Sequence, residues 1–257
     1  MKAIFISDAH LRKSGDERYK KLMNFFDAIK EGNLRTLLDP EEKQTEKDFI
    51  DHLYIAGDLF DFWFCRKENI NPEFKPLINK LIELQKSGVR IHLSEGNHDF
   101  FLGEYFHDVL GMDVFEETID AKMDNLKVLI AHGDTADSTN SRYMLLRRTL
   151  RSRAFYHFQR LIPSSISWTL AGLTSSASKE LTVEDGNALV KKMESFALAR
   201  FQESYDAVIL GHCHVPSLNR YTVAGKKKFF MTLGDWITYY SFLYYENNNF
   251  SLRYYRP

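Results

Sequence analysis

Seven side chains with the chemistry of metal ligands fall at the ends of apolar runs in this chain of 257 residues. Asp8 and His10 follow Ile4-Phe5-Ile6-Ser7, Asp58 follows Leu53-Tyr54-Ile55-Ala56-Gly57, and Asn97 follows Ile91-His92-Leu93-Ser94-Glu95-Gly96. His132 closes Val128-Leu129-Ile130-Ala131, and His212 and His214 close Val208-Ile209-Leu210-Gly211. Five of the nine histidines, His10, His98, His132, His212 and His214, lie in such Gly- or Asp-containing loops, so chance is a poor account of them. His52, His92, His107 and His157 read as ordinary structural histidines. In Asp8-Ala9-His10 and His212-Cys213-His214 the polar side chains are two apart, which in extended backbone puts both on one side, able to grip one ion. Mixed imidazole, carboxylate and amide donors suit Mn, Fe or Zn rather than Ca or Mg. With Asp58 lending an oxygen to each of two sites, cations about 3.5–4 Å apart could acidify water and clamp the oxygens of a phosphoryl centre. Hydrolysis at phosphorus is the reaction class the pattern points to. Neither cysteine is needed, and Cys213 is expected to point away from its two flanking histidines.

Such residues need strands to carry them, because the loop ends of parallel strands are where α/β folds keep their chemistry. Residues 2–7, 53–56, 89–93, 127–131 and 207–210 read as buried strands. From Asp16 to Ile29, Tyr19, Leu22, Phe25, Phe26 and Ile29 follow helical spacing, as do Leu77, Ile78, Leu81, Ile82 and Leu84 before Ser87-Gly88. The second of these helices, with its flanking strands, makes a parallel crossover unit of about 30 residues. The polar stretch 31–47 reads as a solvated loop. Phe62-Trp63-Phe64-Cys65, beside Asp58, is either core packing or an apolar wall for a substrate. A further amphipathic helix is expected over Glu184–Gln202, and the runs Lys228–Leu233, Ser241–Tyr245 and Phe250–Tyr255 look like an antiparallel meander.

With 44% hydrophobic and 27% charged residues and a formal net charge of -1, the chain as a whole offers no argument for nucleic acid or membrane. Local charge differs. From Ser138 to Lys179 there is no Asp or Glu, while Arg142, Arg147, Arg148, Arg151, Arg153, Arg160 and Lys179 are interleaved with aromatic and aliphatic residues. Residues 138–181 are therefore expected to form a basic helical insert, broken into two helices at Pro163, on a core made of 1–137 and 182–257. It either packs on the core with its arginines solvated or forms an anion-attracting, apolar-lined cap that meets a lipid surface; the lack of compensating acid favours the cap. Two cysteines and no long apolar run suit a cytoplasmic protein.

The ordered blocks Asp8-x-His10, Gly57-Asp58, Gly96-Asn97-His98-Asp99, His132 and Gly211-His212-x-His214 resemble those of the calcineurin-like metallophosphoesterases. That resemblance implies a four-layer αββα sandwich of two mixed sheets, with Asp8, His10, Asp58 and His214 on one metal and Asp58, Asn97, His132 and His212 on the other. It implies that His98 contacts phosphate or protonates the leaving group, with Asp99 orienting its ring. Over nearly the whole chain, Gly57-Asp58-Leu59-Phe60-Asp61-Phe62-Trp63, Gly96 to Gly103, His132-Gly133-Asp134-Thr135 and the insert with Tyr143, Pro163, Ser178 and Lys179 most resemble the UDP-2,3-diacylglucosamine diphosphatases of lipid A biosynthesis. These cleave a doubly acylated sugar nucleotide into UMP and 2,3-diacylglucosamine 1-phosphate. The likeness implies two Mn2+ ions, with Fe or Zn as alternatives, and substrate contacts from Asn97, His98, Tyr143, Ser178, Lys179 and His212. It also implies an acylated UDP-sugar as partner; the basic insert is expected to bring the protein to the cytoplasmic face of the inner membrane as a peripheral protein, and no nucleic-acid partner is expected. Two departures stand out: the best-known branch has arginine where this chain has His98, and a lysine-containing segment after Lys179-Glu180 is shortened here. A phosphoesterase for another nucleotide or phospholipid, and a non-catalytic interaction module, are the competing readings.

Overall fold

A strand covered on both faces has no polar side to show, and the chain's apolar runs are used that way. The computed structural model describes residues 1–39, 41, 46–63, 65, 67–137, 140–161 and 186–256. Strands β1 (Lys2–Ile6), β2 (His52–Ala56) and β3 (Arg90–Ser94) lie side by side and parallel. Along β1, Ile4 and Ile6 join Leu53, Ile55 and Leu93 in a cluster with Leu22, Phe25 and Phe26 of α1 (Glu17–Glu31) and Leu77 and Leu81 of α3 (Lys75–Lys86). Ala3 and Phe5 face the other way, with Tyr54 and Ala56, onto Val128, Ile130, Ile209 and Met231 of a second sheet. That sheet runs β5 (Thr118–Met123), β6 (Leu126–Ala131), β7 (Ala207–Leu210), β9 (Lys226–Leu233), β8 (Pro216–Val223), with β6, β7 and β9 parallel. Its outer face, through Leu129, Val208, Leu210 and Phe230, packs on Met193, Ala197 and Phe201 of α7 (Gly186–Gln202). The order is helix, sheet, sheet, helix, the four-layer sandwich expected. β2, α3 and β3 form the parallel crossover read from the sequence.

Some elements differ from expectation. The C-terminal runs do not form one meander: β9 belongs to the second sheet, whereas β10 (Ser241–Glu246) and β11 (Asn249–Tyr254) form a hairpin that adds β10 to the free edge of β1. The stretch between β9 and β10 crosses from sheet to sheet and carries Asp235 past the strand ends. β8, β4 (Asp113–Phe115) and β5 have mixed burial along their lengths and so lack a clean apolar run. Within the stretch read as solvated loop, α2 (Leu34–Leu38) buries Leu34 and Leu37. Helices α5 (Ser141–Leu150) and α6 (Arg153–Leu161) are separated at Arg151-Ser152, where the Ser152 hydroxyl accepts the Phe155 N–H at 3.1 Å and caps the second helix. Pro163 lies outside the described residues.

Candidate metal centre

Each ligand-type residue sits just past the end of its strand. The loops after β1 and β2 are joined by backbone bonds, Asp8 N–H to Gly57 O at 3.2 Å and His10 N–H to Asp58 O at 2.9 Å. His98 N–H donates to Asp58 Oδ1 and His212 N–H to Asp8 Oδ2, both at 2.9 Å. Asp8, His10, Asp58, His212 and His214 all adopt positive φ, between 44° and 65°. For residues other than glycine this conformation costs on the order of 1–3 kcal/mol each, and surrounding structure must impose it. Here the cross-loop bonds impose it, and the result is convergence.

Donor atoms of Asp8, His10 and His214 lie within 4.8 Å of one another, and so do those of Asp8, Asp58 and His132. Asp8 Oδ1 is 3.9 Å from His10 Nε2 and 3.6 Å from His214 Nε2; Asp58 Oδ2 is 3.5 Å from His10 Nε2 and 3.4 Å from His132 Nε2. Asn97 Oδ1 is 2.8 Å from His132 Nε2, and the His212 ring lies edge-on to that of His132 at 5.0 Å. Cys213 is buried and directs its sulfur to Val215 O, away from the cluster. Asp8 Oδ1 and His10 Nε2 are buried without any hydrogen-bond partner. Orphan atoms of that kind cost about 1–3 kcal/mol apiece, and a cation between them would satisfy both. The donor set therefore fits divalent metal ions.

Electrostatics within the cluster run the same way. Burial would raise the Asp58 carboxyl, but the His132, His98 and His10 rings outweigh it and hold it well below the usual range. Burial would lower His132, yet the Asp58 carboxylate prevails and raises it to about 10. Both nitrogens of His132 face acceptors, Nδ1 the Ala56 carbonyl at 3.0 Å and Nε2 Asn97 and Asp58, as a doubly protonated ring requires. His212 is pushed down to about 4 by burial and by the neighbouring His132 charge.

Around the cluster lies a set of carboxylates that sequence reasoning did not assign. Asp61 touches His10 Nδ1 at 3.4 Å and accepts from Arg12 Nε. Asp235 is 3.3 Å from His214 Nδ1 and its other oxygen accepts the N–H groups of Ile237, Thr238 and Tyr239. A carboxylate behind an imidazole fixes the ring's tautomer and orientation. The available signal was that Asp134 and Asp235 each follow a glycine, as Asp58 does, and that Asp61 lies three residues past Asp58 in the same loop. Asp99 is placed differently from its expected role. Its oxygens accept the backbone N–H groups of Asp58, Gly96 and Phe60 at 2.9–3.1 Å, and burial beside Asp58 pushes its carboxyl up to about 8. The His98 ring rests instead on the Asp61 carbonyl, with Nδ1 at 3.1 Å, and lies edge-on to His10.

Of the substrate contacts suggested by resemblance, Tyr143 reaches the site rim and donates to Asp134 Oδ2 at 2.7 Å. Ser178 and Lys179 lie outside the described residues. Trp63 is a core residue, buried among Phe60, Phe74 and Phe106, so it is no substrate wall; Phe62 is half-buried against Phe74. Nor are the insert's arginines uniformly solvated. Arg147 binds Asp134 and Glu117, and Arg151 binds Glu95, because the acids they need come from the core rather than from the insert. Glu95 is pushed up to about 7 by burial, which Arg151 only partly offsets.

Residues 1–216 match the model of the calcineurin-like phosphoesterase family. The chain belongs to that family of metal-dependent phosphoester hydrolases. Among curated proteins it is similar to the UDP-2,3-diacylglucosamine hydrolase of Proteus mirabilis, 26% identical over 93% of this chain and 92% of that one. The enzyme of the same name from Vibrio parahaemolyticus is 27% identical over 98% of each chain. Among solved structures, an archaeal phosphodiesterase covers 99% of both chains at 15% identity, with a TM-score of 0.47.

Proposed function

We propose that the chain hydrolyses the pyrophosphate of UDP-2,3-diacylglucosamine, giving UMP and 2,3-diacylglucosamine 1-phosphate, at a centre of two divalent ions, Mn2+ by preference. Asp8, His10, Asp58 and His214 would hold one ion and Asp58, Asn97, His132 and His212 the other. The observation that carries the reading is the near full-length similarity to hydrolases of that substrate, which spans the insert as well as the site. Divalent ions bound there would supply Lewis acidity, lowering the pKa of a water and offsetting phosphoryl charge. His98 keeps Nδ1 on the Asp61 carbonyl, which leaves Nε2 for a substrate oxygen and suits it to protonate the departing group. Tyr143, on the first insert helix, donates to Asp134, two residues past His132, a position that suits it to meet the nucleotide.

The acyl chains would be met by the insert. Leu145, Leu146 and Phe158 are 66%, 55% and 58% exposed on α5 and α6, and Arg148 and Arg153 are exposed beside them. That combination suits a lipid-bearing substrate at the cytoplasmic face of the inner membrane. No helix among the described residues is long and apolar enough to cross a membrane. His98, where the relatives' best-known branch has arginine, favours a second reading, hydrolysis of a different nucleotide or phospholipid ester. A substrate panel decides between them: UDP-diacylglucosamine of graded chain length, unacylated UDP-sugar, and a small chromogenic phosphodiester. At about 0.8 kcal/mol per buried methylene, each two carbons removed should lower kcat/KM about tenfold. Faster turnover of the unacylated compounds would replace the first reading with the second.

Two further outcomes test the residue roles. Replacing His98 with alanine should lower kcat by about 10²–10⁴-fold with metal content unchanged; lost metal would make His98 a ligand instead. Metal uptake should also release a proton. His132, raised to about 10, carries its extra proton at neutral pH in the metal-free protein, and coordination through Nε2 must displace it. Affinity should therefore rise with pH from 6 toward the His132 pKa, and binding enthalpy should vary with the ionisation enthalpy of the buffer. A pH-independent affinity would argue against His132 as a ligand.

A further inference from the structure

Tyr143, Arg147 and Arg151 stand four residues apart along α5 and at its C-terminal end, so they share one helical face. That face is turned to the core. Tyr143 Oη and Arg147 Nε both donate to Asp134 Oδ2 at 2.7 Å, two residues beyond His132. One turn on, Arg151 donates through Nη1 to Glu95 Oε2 at 2.8 Å and to the Glu116 carbonyl at 3.1 Å, and through Nη2 to the Gly96 carbonyl at 2.7 Å. Its side chain is only 13% exposed and that of Glu95 4%. Glu95 in turn accepts the Leu102 N–H through its other oxygen at 2.8 Å. Neither side chain belongs to the donor cluster.

The Gly96 carbonyl is half of the peptide group that leads into Asn97. A planar guanidinium can hold that carbonyl and the Glu95 carboxylate in fixed relation through separate nitrogens, which an ammonium group cannot do. The Asn97 amide oxygen, 2.8 Å from His132 Nε2, depends on where that peptide lies. We infer that Arg151, seated on Glu95, is a positioning residue for the metal centre: by gripping the Gly96 carbonyl it sets Asn97, and it makes the insert helix α5 part of the metal-binding structure. The inference rests on Asn97 being a ligand, as proposed above, and is independent of which phosphoester is cleaved.

The test is Mn2+ affinity, measured by calorimetry on full-length, metal-stripped protein, for Arg151→Ala, Arg151→Lys, Glu95→Gln and the ligand control Asn97→Ala. Each protein's metal-free Tm is recorded beside it. Supporting residues of this kind cost about 10–100-fold in metal affinity when lost. Arg151→Ala should show that loss, Arg151→Lys should recover only part of it, and millimolar guanidinium should restore affinity to Arg151→Ala. Glu95→Gln, which keeps the side-chain shape and the Leu102 bond, should lie between parent and Arg151→Ala, and it carries the test should Arg151→Ala fail to fold. Parent-like affinity in Arg151→Ala or, should that variant not fold, in Glu95→Gln, with Asn97→Ala impaired, would overturn the positioning role alone. Parent-like affinity in Asn97→Ala would remove the ligand assignment and the inference with it. A fall in Tm without any change in affinity would make Arg151 a purely structural strap and end the proposal.

Discussion

Asp58→Ala is expected to abolish turnover and strip metal from the protein, with a larger effect than His10→Ala. Asp58 is fully buried, touches both His10 and His132 through Oδ2, and steadies the Asn97-His98 loop through Oδ1. Asp8, by comparison, contacts His10 and His214 through Oδ1, both on the same side of the cluster, while its other oxygen accepts the His212 N–H. The loss should exceed the roughly 10–100-fold typical of residues that only support ligands. In the metal-free protein the variant also leaves the His132 charge short of its main partner, and breaking a buried pair from one side costs about 3–5 kcal/mol. Metal content by elemental analysis, kcat, and Tm without metal are the readouts. Substantial activity in Asp58→Ala with metal supplied would sink the shared-ligand reading.

Gly96→Ala should be nearly as damaging, although glycine has no chemistry to lose. A Cβ built there would lie 2.1 Å from Asp58 Oδ1, 2.5 Å from the Asp58 amide nitrogen and 2.8 Å from Asp58 Cγ. The nitrogen belongs to backbone already held by Asp99, so the strain must go into moving the Asp58 carboxylate or the loop itself. Both options misplace ligands by the margin that metal geometry does not forgive. Gly103→Ala, at the start of the short helix α4 (Gly103–Phe106) with nothing within 4 Å of its added methyl, is the matched control. Gly96→Ala is expected to fold, lose metal affinity by more than tenfold, and lose activity in step; equal behaviour of the two variants would show that the close approach at Gly96 has slack.

Much of the site was legible because its parts are local. An apolar run that needs cover on both faces ends where the next residue is polar, and Asp8, Asp58, Asn97, His132 and His212 mark such ends one after another. The helix α1 was equally readable: Tyr19, Leu22, Phe25, Phe26 and Ile29 are the buried residues of the structure as they are of the pattern. Where the pattern was mixed, as in β8, or the helix short, as in α2, the signal was lost.

By itself, then, the sequence determined which residues end the strands, which helices cover them, and that the donors mix imidazole, carboxylate and amide. Only the tertiary structure decided how the strands divide. It put β6 and β7 in a second sheet facing β1 to β3, set the His132 ring on the Ala56 carbonyl 76 residues away, and sent the residues between β9 and β10 across to deliver Asp235 behind His214. It also turned Arg147 and Arg151 inward onto Asp134 and Glu95, leaving Arg142 and Arg148 exposed, where composition had suggested a uniformly outward, basic face. Periodicity reports whether a residue is buried, because burial follows from its own chemistry and its neighbours' spacing. It does not report against what, since a buried charge finds its partner through the packing of whole elements, and those partners lie far apart along the chain.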